Sequence, residues 1–202
     1  MPNGVSVMHA LIVVSHPLKT SLTHSVAAAV AQGITESGTQ NTAEIADLTQ
    51  EGFNPVFAEP DIAAFLQTGV TPPDVIAEQA RIDNADALVL VFPVYWWSMP
   101  GLLKGWIDRV FSNGWAYEET ADGKVVKKLG RLRVHLVALG AAGQKTYDKH
   151  GFTAAFQTQI AHGIFDYCGA TVASSQLLLL PELETAEAYL EAARQSGKTI
   201  FG

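Results

Sequence analysis

Segments 8–15 and 87–92 are nearly unbroken apolar runs. Runs of that length suit strands covered on both faces, as in a parallel sheet. Segments 42–48, 132–139 and 171–180 predict three more strands. Between them the period changes. Leu22, Val26, Val30 and Ile34 recur at helical spacing, and Gly38 follows as a stop signal. Residues 74–83 predict a second helix, with Asp74 placed to cap it. Pro100 opens a third, in which Leu102, Leu103, Trp106, Ile107, Val110 and Phe111 share one face. Residues 152–167 and 184–196 predict two others. Stretch 51–73 is irregular and rich in proline, with one short helix expected around 62–66. Asp122-Gly123, flanked by Tyr117, Val125 and Val126, predicts a hairpin turn.

This alternation of strand and helix predicts one α/β domain over residues 1–202, a parallel sheet with helices on both faces. Residues 1–7 read as a loose tail. Sheets of this kind bind ligands beyond the carboxyl ends of their strands. Three loops therefore matter: those after Ser15, after Phe92 and after Leu139.

The first loop carries His16, Lys19, Thr20, Ser21 and Thr23 with no acid, and leads straight into a helix. Unpaired N–H groups at a helix start attract anions. The loop suits a phosphate or pyrophosphate, although ordinary capping by Thr20 or Ser21 explains the hydroxyls equally well. It is neither a P-loop nor a G-x-G-x-x-G turn, which argues against a Rossmann nicotinamide site. The second loop, Pro93-Val94-Tyr95-Trp96-Trp97-Ser98-Met99-Pro100, ends a buried strand with three large aromatics. Strand alternation cannot bury Tyr95, Trp96 and Trp97 on one side, so at least one ring should face a cleft. A flat flavin suits such a platform, stiffened by its two prolines. The third loop, 140–151, opens with small residues that let a ligand approach the backbone, and holds Tyr147 and His150 as proton donors. In a polar loop a lone Tyr and His are also common as plain surface residues.

Composition narrows the class. Hydrophobic residues make up 48% and charged residues 16%, which fits a packed globular protein and argues against disorder. The net charge of −7, without a basic run, disfavours a nucleic-acid partner. No apolar run is long enough to span a bilayer. The single cysteine, Cys168, cannot form an internal disulfide, and no H-E-x-x-H pattern implies a metal. His135, inside a strand, reads as a packed core residue. A soluble cytoplasmic protein is the expectation.

The segment Phe92-Pro93-Val94-Tyr95-Trp96-Trp97-Ser98-Met99-Pro100-Gly101-Leu102-Leu103-Lys104-Gly105-Trp106-Ile107-Asp108-Arg109-Val110-Phe111 resembles the F-P-L-x-W-F-x-x-P-A-x-L-K-G-W-x-[DE]-R-V pattern of the NAD(P)H:quinone oxidoreductases. Asp47-Leu48, Gly52-Phe53-Asn54-Pro55 and the stretch from Pro73 to Gln79 are similar too, as are His16 and Thr20-Ser21-Leu22-Thr23. The resemblance implies a flavodoxin-like three-layer sandwich with a five-stranded sheet of order 2-1-3-4-5. It implies FAD, or alternatively FMN, held by His16, Thr20, Ser21, Leu22 and Thr23 at the phosphates. Pro93, Val94, Tyr95, Trp96, Trp97, Gly140 and Tyr147 would lie along the ring, with Tyr147 and His150 catalytic. It further implies NAD(P)H as hydride donor, a quinone as acceptor, ping-pong turnover, and a homodimer in which each pocket is completed by the neighbour, a part that the Trp115 to Tyr117 stretch and the hairpin after it could play here. The sequence departs from the family at Ala138, Leu139 and Thr23 and lacks the long C-terminal extension of the animal enzymes. An electron-carrying flavodoxin and a regulatory flavoprotein subunit of a transporter are the rival readings.

Overall fold

The computed structural model describes residues 7–120, 122–183 and 185–202. Most of the expected tail, and Glu184 at the expected start of the last helix, lie outside them. Five parallel strands form the main sheet: β1 (His9–Val14), β2 (Thr42–Asp47), β3 (Ala87–Pro93), β6 (Arg133–Gly140) and β7 (Thr171–Leu179), in the order β2-β1-β3-β6-β7. Counting the main strands alone, this is the expected 2-1-3-4-5. β4 (Tyr117–Glu119) and β5 (Val125–Lys127) form the hairpin around Asp122-Gly123. Gly123 supplies the left-handed backbone that such a turn needs (φ 77°).

Alternate residues of the central strands face two separate cores. Leu11, Val13, Leu88, Leu90, Phe92 and Leu136 pack on one side with α3 (Pro73–Asp83), α4 (Gly101–Val110) and the chain from α6 (Phe152–Phe156) onward. Ala10, Ile12, Val14, Val89, Val91 and Val137 pack on the other with α1 (Leu22–Ser37) and α7 (Ala186–Thr199). α1 and α7 touch backbone to backbone. A Cβ on Gly33 would lie 2.0 Å from the Arg194 carbonyl, and one on Gly197 would lie 2.2 Å from that of Val30.

Several expectations are refined. Asp74 does not cap α3: Pro72 occupies that place, and Asp74 in the first turn turns to Arg109. The short helix in the irregular stretch is α2 (Glu59–Phe65). Residues 144–150, expected as loop, form a helix, α5 (Gln144–His150). The helix expected over 152–167 starts as α6 and widens into a π-helical stretch, Gln157–Asp166. Its buried positions Phe156, Ile160 and Phe165 are spaced four and then five apart, which the wider winding accommodates. β7 pairs with β6 through a bulge between Val134 and His135.

Candidate functional site

The carboxyl ends of β1, β3 and β6 carry the three loops to one rim of the sheet. After β1, Ser21 caps α1, its Oγ accepting the His24 N–H at 3.3 Å. The backbone N–H groups of Leu22 and Thr23 have no backbone partner among the described residues, as expected of a first helical turn. His16 bends back over the loop, where its Nδ1 accepts the Leu18 N–H at 3.0 Å. Thr20 is exposed and Thr23 buried.

After β3 the chain makes a tight reversal. Tyr95 and Ser98 exchange both backbone hydrogen bonds, at 3.0 and 3.1 Å. Trp96 (φ 48°) and Trp97 (φ 64°) between them both adopt left-handed backbone. Two consecutive positive φ values normally call for Asn-Gly, because a side chain there strains against its own carbonyl. Trp97 is held by a stack on Phe152 (ring centroids 3.8 Å apart, 14°) and an edge contact with Tyr147 at 5.6 Å. Trp96 has no such support and is 94% exposed. Neither backbone N–H of the pair has a partner among the described residues. Val94 N–H reaches the Leu139 carbonyl at 2.8 Å and ties this loop to the next.

After β6, Gly140 meets the side chain of Tyr147. A Cβ on Gly140 would lie 2.8 Å from the Tyr147 hydroxyl and 2.8 Å from Leu179. Glycine is therefore what lets Tyr147 lie across the strand end. Tyr147 is buried, which pushes its ionisation up, and its hydroxyl has no hydrogen-bond partner among the described residues. It stays protonated at neutral pH, a donor with an open valence.

Val94, Trp96, Trp97, Ala141, Ala142 and Tyr147 line one cavity of about 180 Å³ at this rim. The structure thus brings together the aromatic turn and Tyr147 from the predicted set. It leaves the phosphate-loop residues and His150 outside that cavity. His150 is exposed and stacks on Phe152 at 5.4 Å, one ring beyond Trp97. Sequence reasoning missed Phe152, which joins Trp97 to His150. It also missed His24, whose ring links Ser21 to Asp47 at 2.9 and 2.8 Å.

The most extended part of the sequence resemblance serves a different purpose. Arg109 is buried on α4 and donates to Asp61 (2.9 Å), to both oxygens of Asp74 (2.6 and 3.1 Å) and to the Asn54 carbonyl (2.8 Å), while lying over the Phe53 ring. Its hydrogen bonds, and after them its charge, hold the Asp74 carboxyl below the usual carboxylate range. Trp106 Nε1 donates to Glu78 at 2.8 Å, and a Cβ on Gly105 would collide with Pro55. These residues clamp the irregular stretch to the helices and stand apart from the rim.

The flavodoxin-like fold family matches residues 8–200. An NAD(P)H oxidoreductase from Haemophilus influenzae is 30% identical over 165 residues, 80% of this chain and 79% of the relative. The chain belongs to the NAD(P)H oxidoreductases of the flavodoxin-like fold. The rat NAD(P)H dehydrogenase [quinone] 1 is 27% identical over 192 residues, covering 86% of this chain and 69% of that enzyme. Among solved structures, the NAD(P)H:quinone oxidoreductase of Methanothermobacter marburgensis superposes with a TM-score of 0.84 at 24% identity, covering 96% of this chain and 99% of that one.

Proposed function

We propose that the chain is a flavin-dependent NAD(P)H dehydrogenase that reduces quinones, or similar flat electrophiles, by two electrons. The observation that carries this reading is the Tyr95–Ser98 reversal. Two tryptophans held in left-handed backbone, with both N–H groups unpaired and one ring bare to solvent, are costly unless a ligand uses them. The residues fit a flavin. The amides of Trp96 and Trp97 can pair with a heteroaromatic edge, the Gly140 cradle brings the Tyr147 hydroxyl to the same cavity, and the α1 start receives an anionic tail. The first loop offers more donors than one phosphate requires, which favours FAD over FMN.

A bound flavin supplies the hydride relay from NAD(P)H to the acceptor. The protein's part is position and charge. Trp97, stacked on Phe152, keeps water from one side of the cavity. Tyr147 holds a proton at its hydroxyl for negative charge that develops beside it, and His150 at the outer end of the aromatic row stands ready to exchange one with solvent. Donor and acceptor use one open face in turn, hence ping-pong turnover. Tyr147→Phe should slow flavin reduction by roughly 10²-fold while leaving flavin bound. Unchanged reduction kinetics in stopped flow would remove Tyr147 from the mechanism.

The purified protein should be yellow, release FAD on heating, and oxidise NAD(P)H with a quinone acceptor. A colourless protein that takes up neither FAD nor FMN overturns the proposal. A stable one-electron state without NAD(P)H oxidation would favour an electron carrier.

Two further parts belong to this reading. The protein acts as a homodimer, with a second copy covering the exposed rings of Phe57 and Phe65. Beside them lies a cavity of about 370 Å³ walled by Tyr117 and Tyr167, whose rings meet edge to face at 5.3 Å. The enzyme works in the cytoplasm. Cys168, free and buried with its thiol pushed up to about 11, needs no oxidising compartment.

A further inference from the structure

Beneath the first loop, Asp47, His24 and Ser21 form a chain whose protons can be counted. Asp47 ends β2. Its Oδ1 accepts the backbone N–H groups of Thr49 (3.1 Å) and Gln50 (3.2 Å), and its Oδ2 meets His24 Nε2 at 2.8 Å. An ionised carboxylate only accepts, so the hydrogen sits on Nε2. In a neutral ring Nδ1 is then bare. Ser21 Oγ lies 2.9 Å from Nδ1 and already accepts the His24 backbone N–H. The hydroxyl proton is therefore spent on the ring. In this state Ser21 stands at the start of α1 as an acceptor and cannot donate to an anion.

A second proton on His24 reverses the bond. Nδ1–H then donates to Ser21 Oγ, and the hydroxyl proton is free to turn towards the loop. The imidazolium would sit between the Asp47 carboxylate and an anion at the helix start, attracted by both. The side chains of His24 and Asp47 are only 13% and 14% exposed, so solvent screens these attractions weakly. Among the described residues, the titratable groups in contact with the His24 ring are Asp47 from the β2 end and His16 from its own loop, with Lys19 five residues earlier in the sequence. His16 is set differently. It sits edge-on to His24 at 6.3 Å, and its Nδ1 lies closer to the Leu18 N–H (3.0 Å) than to the Leu18 carbonyl (3.3 Å), so the shorter contact puts the hydrogen of a neutral His16 on Nε2. It can donate without taking up a proton.

We propose that His24 is a proton-linked positioning residue: an anionic phosphate at the start of α1 draws a proton onto His24, and the imidazolium converts Ser21 from acceptor to phosphate donor. The proposal rests on the flavin reading above and adds that binding the phosphate arm consumes a proton.

The test is calorimetry of FAD binding at about pH 7.5, near the range where histidines titrate, in buffers of different ionisation enthalpy. The diphosphate of FAD stays ionised there, so any uptake belongs to the protein. About one-half to one proton should be taken up per FAD, which makes affinity fall by up to roughly tenfold per pH unit as pH rises. Riboflavin, without a phosphate, should bind the same protein with no uptake, a comparison that needs no variant. His24→Gln should abolish both the uptake and the pH slope, whereas His16→Gln should weaken binding and keep the uptake. FAD binding without proton uptake, equal uptake with riboflavin, or uptake that persists in His24→Gln each overturns the proposal and leaves the flavin reading standing. Failure to bind any flavin overturns both.

Discussion

His135 shows what one buried side chain contributes. It lies 4% exposed in β6 beside the bulge, with Nδ1 bonded to Ser174 Oγ at 2.8 Å and Nε2 without a partner among the described residues. Burial pushes its ionisation down to about 4, and Arg133 adds to the effect. The folded state therefore resists a proton that the unfolded chain, with an ordinary histidine near 6.5, accepts readily. Stability present above that value is lost as pH falls towards about 4, and the loss is on the order of 3 kcal/mol. Urea unfolding of wild type and His135→Gln at a series of pH values should show the variant with a shallower slope in this window. Parallel slopes would mean that His135 does not carry the linkage. Its role as a packed core residue was legible from its place in an apolar strand. Its unpaired nitrogen was not, because the bulge that shifts the register has no sequence signature here.

Among elements, the aromatic reversal after β3 departs furthest from local preference. That its rings could not all be core followed from strand alternation alone. That both tryptophans take left-handed backbone did not, since such turns are recognised by Asn-Gly and not by Trp-Trp. α5 escaped notice for a related reason: Gln144 to His150 has no apolar period, only Tyr147 among them being buried. The link from Ser21 to Asp47 joins residues from different elements and has no local pattern. If the reversal is strained for a ligand, relieving the backbone strain should stabilise the empty protein, and removing the exposed ring should weaken the hold on the ligand. Trp96→Asn removes a nearly fully exposed ring and introduces a residue that tolerates left-handed backbone. The flavin-free protein should gain about 1 kcal/mol in chemical unfolding, while flavin affinity drops. Loss of both stability and affinity would show that Trp96 packs in the empty state, against its 94% exposure.

Across the whole molecule, the five strands, the two helical layers and the three-loop rim were legible from apolar runs and the position of the turns, while the sheet order came only with the resemblance. The resemblance pointed to the same rim, yet much of what made it specific is scaffold. Gly105, Trp106 and Arg109 follow the aromatic loop in sequence, and the structure uses them to fasten residues 53–61 and α3 onto α4. A sequence motif cannot reveal that division, because one helix carries the aromatic loop at its start and the clamp along its face. The division has a measurable consequence. Arg109→Ala leaves the Asp61 carboxylate, 4% exposed, buried with only the Ala58 N–H at 2.8 Å, an arrangement that costs about 3–5 kcal/mol. The damage should spread to α2, which borders the cavity of about 370 Å³ and carries the exposed Phe65. It should not reach the reversal at Trp96 or the start of α1, which are held by other contacts. At a temperature where the variant remains folded, it should therefore bind flavin near wild-type strength but elute as a monomer. Asp61→Asn, which keeps the shape and one acceptor, should be milder on both counts. A variant that stays dimeric but loses flavin would show that the clamp supports the rim and not α2.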